Sequence, residues 1–344
     1  MNRRHFLWGS LAGAGIPAPV TKACIWDRDT LAQEAAQSPG YVAVITGRFP
    51  RYPARYYEMR LERVTRELEA APDRLDLYDD AGVSCDRLGR GEAAIAWMAE
   101  KRERLESFAP GRDTGEHRYR YFANLGTFEI HDWVRRGSTS VAFLDQAESA
   151  RSLIAEAIRL NPNAHFGREK YQFMAIDWII RSVKEETDSH FFLEESDHYR
   201  ATLGNLPLKQ ADPAQGIAGL VYLGNAWESA DVFRNLGLAF ARTKQASIAQ
   251  LAYLRAGEIL ASGGKSFSRG GEFDPSLNVE DSASIRNARW FIDARREADR
   301  WLKDRNSYLE RQFAEGRHPD THPDFWKGHV DRSEPPEFLH KKVR

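Results

Sequence analysis

Residues 232–260 read VFRNLGLAFARTKQASIAQLAYLRAGEIL. Phe233, Leu236, Gly237 and Phe240 recur at intervals of three and four, so in a helix they share one face. Ala249, Tyr253 and Ala256 resume the same interval after a polar break at 243–245. The stretch therefore predicts two helices, with Gly237 at their crossing and Ala249 as the small residue opposite it. A larger pair there would overpack the crossing by about 1–3 kcal/mol. Glycine also costs roughly 1 kcal/mol of helix propensity, which close packing must offset.

The pattern recurs upstream. In YRYFANLGTF, Phe122, Leu125 and Gly126 open a copy that Ala150, Ile154, Ala157 and Pro162 close in AESARSLIAEAIRLNPNA. A short insertion, RRGSTSVAF, separates its halves. In LYDDAGVSCDRLGRGEAAIAWM, Tyr78, Ala81, Gly82 and Cys85 mark a first helix, Leu88 and Gly89 a turn, and Ala94 and Met98 a second helix. Gly82 with Ala94, Gly126 with Ala150 and Gly237 with Ala249 are the expected packing residues. Residues 54–73 read as a lone helix stopped by Pro72, and 165–186 and 214–228 as further helices.

These spacings resemble the tetratricopeptide repeat, a pair of antiparallel helices in a unit of about 34 residues. The resemblance implies an all-α, helical-repeat solenoid over residues 53–262. A Gly/Ser-rich loop would follow at 263–280. A long amphipathic helix at 281–315 would then cap the stack, with Ile285, Ala288, Ile292, Leu302 and Leu309 in one stripe and Asp299 paired to Lys303. The tail at 316–344, with four prolines, is expected to be extended, and 24–52 irregular.

Residues 1–23 have the order of an export signal: basic Arg3 and Arg4, apolar Phe6 and Leu7, then small residues up to Ala23. The Arg-Arg-x-Phe-Leu core resembles a twin-arginine signal. Export to the periplasm or cell envelope is the expectation. Two cysteines follow, Cys24 and Cys85. Cys24, at the cut, is open to lipidation or to a disulfide with Cys85, which would be worth about 4 kcal/mol by loop closure. The third outcome is a pair of free thiols, with Cys85 buried at a core position.

In stacked repeats the non-core faces of the first helices line a concave groove. Here those faces carry Asp76, Asp79, Asp86 and Arg87, then Arg120, Asn124, Thr127 and His131, then Arg234, Asn235 and Arg242. Some tetratricopeptide repeats clamp a partner's terminal carboxylate with Lys, Arg and Asn, which Arg234, Asn124 and Asn235 resemble in part. The implied function is a non-catalytic scaffold holding a protein or peptide segment.

Other chemistry is weaker in the sequence. Lys plus Arg is 49 against Asp plus Glu 50, so no charge excess points to nucleic acid. The arginines from Arg48 to Arg66 alternate with Glu58 and Glu62 and read as solvated helix surface. GGKS at 263–266 lacks the glycine of a phosphate loop, with Ile259 in its place. No cofactor is expected and no catalytic residue stands out. The alternative is an exported enzyme or metal protein using His190, Glu194 and His198 within 187–212, or His318, Asp320, His322 and Asp324 in HPDTHPD, with His329 beyond. A structural envelope lipoprotein is a further alternative.

Overall fold

A computed structural model describes residues 26–29, 39–137, 140–162, 164–186, 204, 206, 212–224, 226–268, 282–331 and 333–334. The described residues form eleven α-helices and no strand. In order these are α1 (Tyr41–Thr46), α2 (Ala54–Ala70), α3 (Leu75–Arg87), α4 (Gly91–Ser107), α5 (Gly115–Arg135) and α6 (Asp145–Leu160). They continue with α7 (Arg168–Val183), α8 (Pro213–Tyr222), α9 (Ala230–Arg242), α10 (Ala246–Ala261) and α11 (Ser282–Ala314). Consecutive helices pack on one another, most extensively α5 with α6, α9 with α10 and α3 with α4. The expected export signal at 1–23, Cys24, residues 187–203 and the loop from 269 to 281 lie outside the described residues.

Local chemistry sets the helix ends. The Asp212 side chain accepts from Ala214 N at 2.9 Å, with Pro213 in the first turn, and opens α8. Ser229 caps α9 through Val232 N. Gly89 has φ +75°, the left-handed conformation that turns the chain between α3 and α4, and Arg90 N returns to Cys85 O at 2.8 Å.

The three crossings differ in their small residues. A Cβ at Gly126 would meet Ala150 O at 2.9 Å and Ile154 at 3.0 Å, so this crossing is the close backbone approach expected. At Gly237 the nearest atoms belong to the Tyr253 ring, at 2.6 Å, rather than to Ala249. At Gly82 they belong to Phe128 (2.8 Å) and Met98 (3.1 Å), not Ala94. There the glycine makes room for a large side chain, while Ala94 and Ala249 stay buried.

One core runs through α1 and α5–α10, with Val44, Trp133, Trp178, Phe233 and Phe240 buried; another fills α2–α5 around Val64, Met98 and Phe128. Full burial of each such side chain contributes about 1.5–3 kcal/mol. The α11 stripe departs from expectation. Ile285 and Ile292 are exposed, and the buried face is Phe291, Ala294, Ala298, Tyr308, Leu309 and Phe313. That face carries the aromatic rings and small residues that fit against α1, α2 and the tail. Asp299 pairs with Arg295 rather than Lys303.

Two segments expected to be irregular or extended are not. Residues 41–46 form α1. The described tail, 316–331, folds back in turns, because Phe325 and His318 bury beside Tyr56 and Phe313. Arg60, expected on a solvated surface, is 0% exposed. Cys85 is a free, buried thiol.

Candidate binding face

The facing sides of α3 and α5 bring two of the three expected polar sets together. Asp79 lies between Lys101 of α4, whose Nζ donates at 2.6 and 2.7 Å, and Asn124 of α5, whose Nδ2 donates at 2.9 Å. One turn or two further along, Asp86 meets His131 Nδ1 at 2.9 Å and Arg135 Nη2 at 2.6 Å. Burial opposes ionisation of Asp86, but His131 and Arg135 outweigh it and hold its carboxyl well below the usual range. Thr127 accepts from Gln172 Nε2 at 2.9 Å and donates to Ala123 O.

These residues were expected to line an open groove. Asp79, Asp86, Asn124, Thr127 and His131 are instead buried, whereas Asp76 forms a surface pair with Arg74. The third set has separate partners: Asn235 donates to Asp231 O on its own helix, and Arg234 is buried. Asp231 also anchors the loop after α10 through Ser266 Oγ (2.5 Å) and Phe267 N (2.9 Å). Arg242 is exposed; Arg87 and Arg120 are half-buried.

The chain itself covers this face of α3 and α5. Trp26 N donates to Asn124 Oδ1 at 2.7 Å, and Asn124 Nδ2 returns to Trp26 O at 2.9 Å, so one carboxamide holds both backbone groups of one residue. The indole Nε1 donates to Tyr119 OH (2.8 Å), which donates to Glu169 Oε1 of α7 (2.8 Å). The rings of Trp26 and Tyr119 meet edge to face at 5.4 Å, over Ala123, Ala157 and Ala164. Arg120 lies 5.3 Å from the Trp26 ring centroid. Arg28 N donates to Asp80 Oδ1 at 3.0 Å.

The acids flanking Arg28 meet Arg60 of α2. Its guanidinium donates to Asp27 (3.2 Å), Asp29 (2.9 and 3.0 Å) and, from the tail, Asp320 (2.7 and 2.8 Å). Arg63 adds a 2.8 Å bond to Asp320. Three buried or half-buried carboxylates around one buried cation would be costly unless each were hydrogen-bonded, as here. Asp80, nearby and 5% exposed, has no such cation in contact among the described residues. Burial lifts its carboxyl to about 7, and Asp27 and Asp320 add to the rise against the pull of Arg60.

Trp26, Asp27, Asp29, Arg60, Lys101 and Tyr119 were not foreseen as site residues. Arg60 did leave a signal, since it falls on the stripe Tyr56, Tyr57, Arg60, Val64, Leu68 that α2 buries. Of the expected metal ligands, His318 Nε2 lies 3.1 Å from Tyr56 O and Asp320 is held by arginines, so both are taken by the tail's docking. Burial depresses the His318 imidazole to about 4 against the pull of Asp320. His190, Glu194 and His198 lie outside the described residues, among which no three His, Cys, Asp or Glu side chains are grouped to hold a metal ion. Among the described residues no helix is long and apolar enough to cross a membrane.

Compared with known proteins, the chain matches no family model, no curated protein and no solved structure.

Proposed function

We propose that the chain is an exported, non-catalytic scaffold of tetratricopeptide type that holds a peptide or protein segment on the face of α3 and α5. The observation that carries the reading is the paired hydrogen bonding of Asn124 to Trp26 N and O. A contact to the main chain of one residue is independent of its side chain, and the neighbouring side-chain slots then select the sequence. The slots here favour an aromatic ring against Tyr119 and acids one and three residues later, where Arg60 takes Asp27 and Asp29. Residues 26–29 occupy the face in cis, and a partner carrying the same chemistry would displace them.

The test uses the full chain carrying Trp26→Ala. A fluorescent peptide spelling residues 24–30, CIWDRDT, is expected to bind this variant by anisotropy, to bind wild type far more weakly, and to lose binding when Asn124→Ala is added. A Trp26→Ala protein with native helicity that fails to capture the peptide would end this reading. Export is tested separately by intact-mass measurement of the mature N-terminus, which distinguishes cleavage after Ala23, acylated Cys24 and an unprocessed chain.

A further inference from the structure

Where the N-terminal segment, the loop before α2, the end of α3 and the end of α8 meet, they enclose a cavity of about 100 Å³. Three donor side chains, Arg51, Arg87 and Tyr57, line it together with Asp27 and Asp29. Arg51 gives one N–H to Gly47 O at 2.8 Å, and its guanidinium lies 4.3 Å from the Trp227 ring centroid. Arg87 reaches Leu223 O at 3.3 Å through Nη2, while its buried Nε has no hydrogen-bond partner among the described residues. The Tyr57 hydroxyl also lines the cavity, and burial raises its pKa, so it remains a protonated donor at neutral pH. Among the described residues it makes no hydrogen bond.

The surrounding arginines differ in one respect. Arg48 pairs with Glu297, Arg60 with three aspartates, Arg255 with Glu258, and Arg295 with Glu258 and Asp299. No carboxylate among the described residues lies within 4 Å of Arg51 or Arg87. Arg255 and Arg295 stand over the same Trp227 ring as Arg51, so three guanidinium groups crowd one indole. Burial and these two like charges, against the pull of Asp299 and Glu228, weaken the hold of Arg51 on its proton, to about 9. Asp27 and Asp29 also reach the cavity wall, but Arg60 holds both. A small space in which two guanidinium groups and a phenol have no carboxylate in contact among the described residues offers donors to a ligand made of acceptors.

We propose that this cavity binds a compact tetrahedral oxyanion of phosphate or sulfate size, held between Arg51 and Arg87 with Tyr57 as a third donor. Guanidinium groups suit such ligands, because their planar N–H pairs match two oxygens at once. Asp27 and Asp29 of the segment on α3 and α5 form part of this wall, but the donors Arg51, Arg87 and Tyr57 are distinct from Asn124 and Tyr119, so the peptide test and the anion titration can fail independently.

The experiment titrates inorganic phosphate into the full chain by calorimetry at constant ionic strength, with chloride as the control and sulfate, glycerol phosphate and acetate as comparators. Saturable phosphate binding and a raised melting temperature are expected. Arg87→Gln and Arg51→Gln should each weaken phosphate at least tenfold, Tyr57→Phe severalfold, and Arg87→Lys less than Arg87→Gln. Tighter phosphate than glycerol phosphate would assign the free anion, and the reverse an ester; both support the site. Absence of phosphate binding by wild type, undiminished binding in both glutamine variants, or acetate binding as tightly as phosphate would overturn the proposal. Should a glutamine variant lose its helicity, Tyr57→Phe and Arg87→Lys, which preserve shape and charge, carry the comparison.

Discussion

A methyl group at Gly126 would stand 2.9 Å from the main-chain oxygen of Ala150, and a backbone atom cannot step aside as a side chain can. Gly126→Ala is therefore expected to cost about 1–3 kcal/mol in urea unfolding. Gly237→Ala should cost less, because its neighbour is the half-buried Tyr253 ring, which can swing outward. Equal losses at the two positions would contradict this account. Asp80 sets a second expectation. Its folded pKa of about 7 lies above the ordinary value of 3.8, so folding takes up a proton between these limits. The corresponding stability is fully present below about pH 4 and is lost as pH rises through 7. Asp80→Asn keeps an acceptor for Arg28 N and should stabilise the protein at pH 8, by at most about 4 kcal/mol, with the gain vanishing toward pH 4. His318 works in the opposite sense: with a folded pKa near 4 against 6.5, its contribution is lost as pH falls through that window. Melting curves of Asp80→Asn should then show stability falling with acidification below about 6.5.

At the scale of elements, α2 carries the polar centre on its buried face. Arg60→Met removes the cation and leaves Asp27, Asp29 and Asp320 without their shared partner, which is expected to cost about 3–5 kcal/mol. Urea titration of Arg60→Met beside the surface variant Arg66→Met, expected to be near neutral, separates this from general helix effects. The helices themselves were legible. Spacings of three and four located α3, α4, α5, α6, α9 and α10, and the Leu88–Gly89 step marked a true left-handed turn. Periodicity failed on α11, where exposed Ile285 and Ile292 were assigned inward. In a 33-residue helix with small, aromatic and charged residues on several sides, more than one stripe satisfies the same spacing.

For the whole molecule, the two ends of the described chain meet on α2, Asp27 and Asp29 from one side and Asp320 from the other. Asp320→Ala should release the tail while sparing the helix pairs. Hydrogen exchange is expected to accelerate over residues 317–328 and to stay unchanged in α5 and α6. Uniform acceleration would mean that the tail holds the fold rather than docks on it. Arg60, Arg63 and His318 depress the Asp320 carboxyl well below the ordinary range against the effect of burial. Its stability is present above about pH 4 and is lost as pH falls below that, so acid should undock the tail of wild type as well.

The amino-acid sequence by itself determined that this chain is helical, where most of its helices begin and end, and that α5 and α6 touch at Gly126 and Ala150. Those properties depend on neighbours within a turn or two, or on the size of a side chain at a crossing. Only the tertiary structure decided which polar residues are interior. Arg60 reaches Asp320 across 260 positions and Trp26 reaches Asn124 across 98. A charge looks solvated until the partner that compensates its burial is brought beside it, and periodicity along one helix holds no record of that partner.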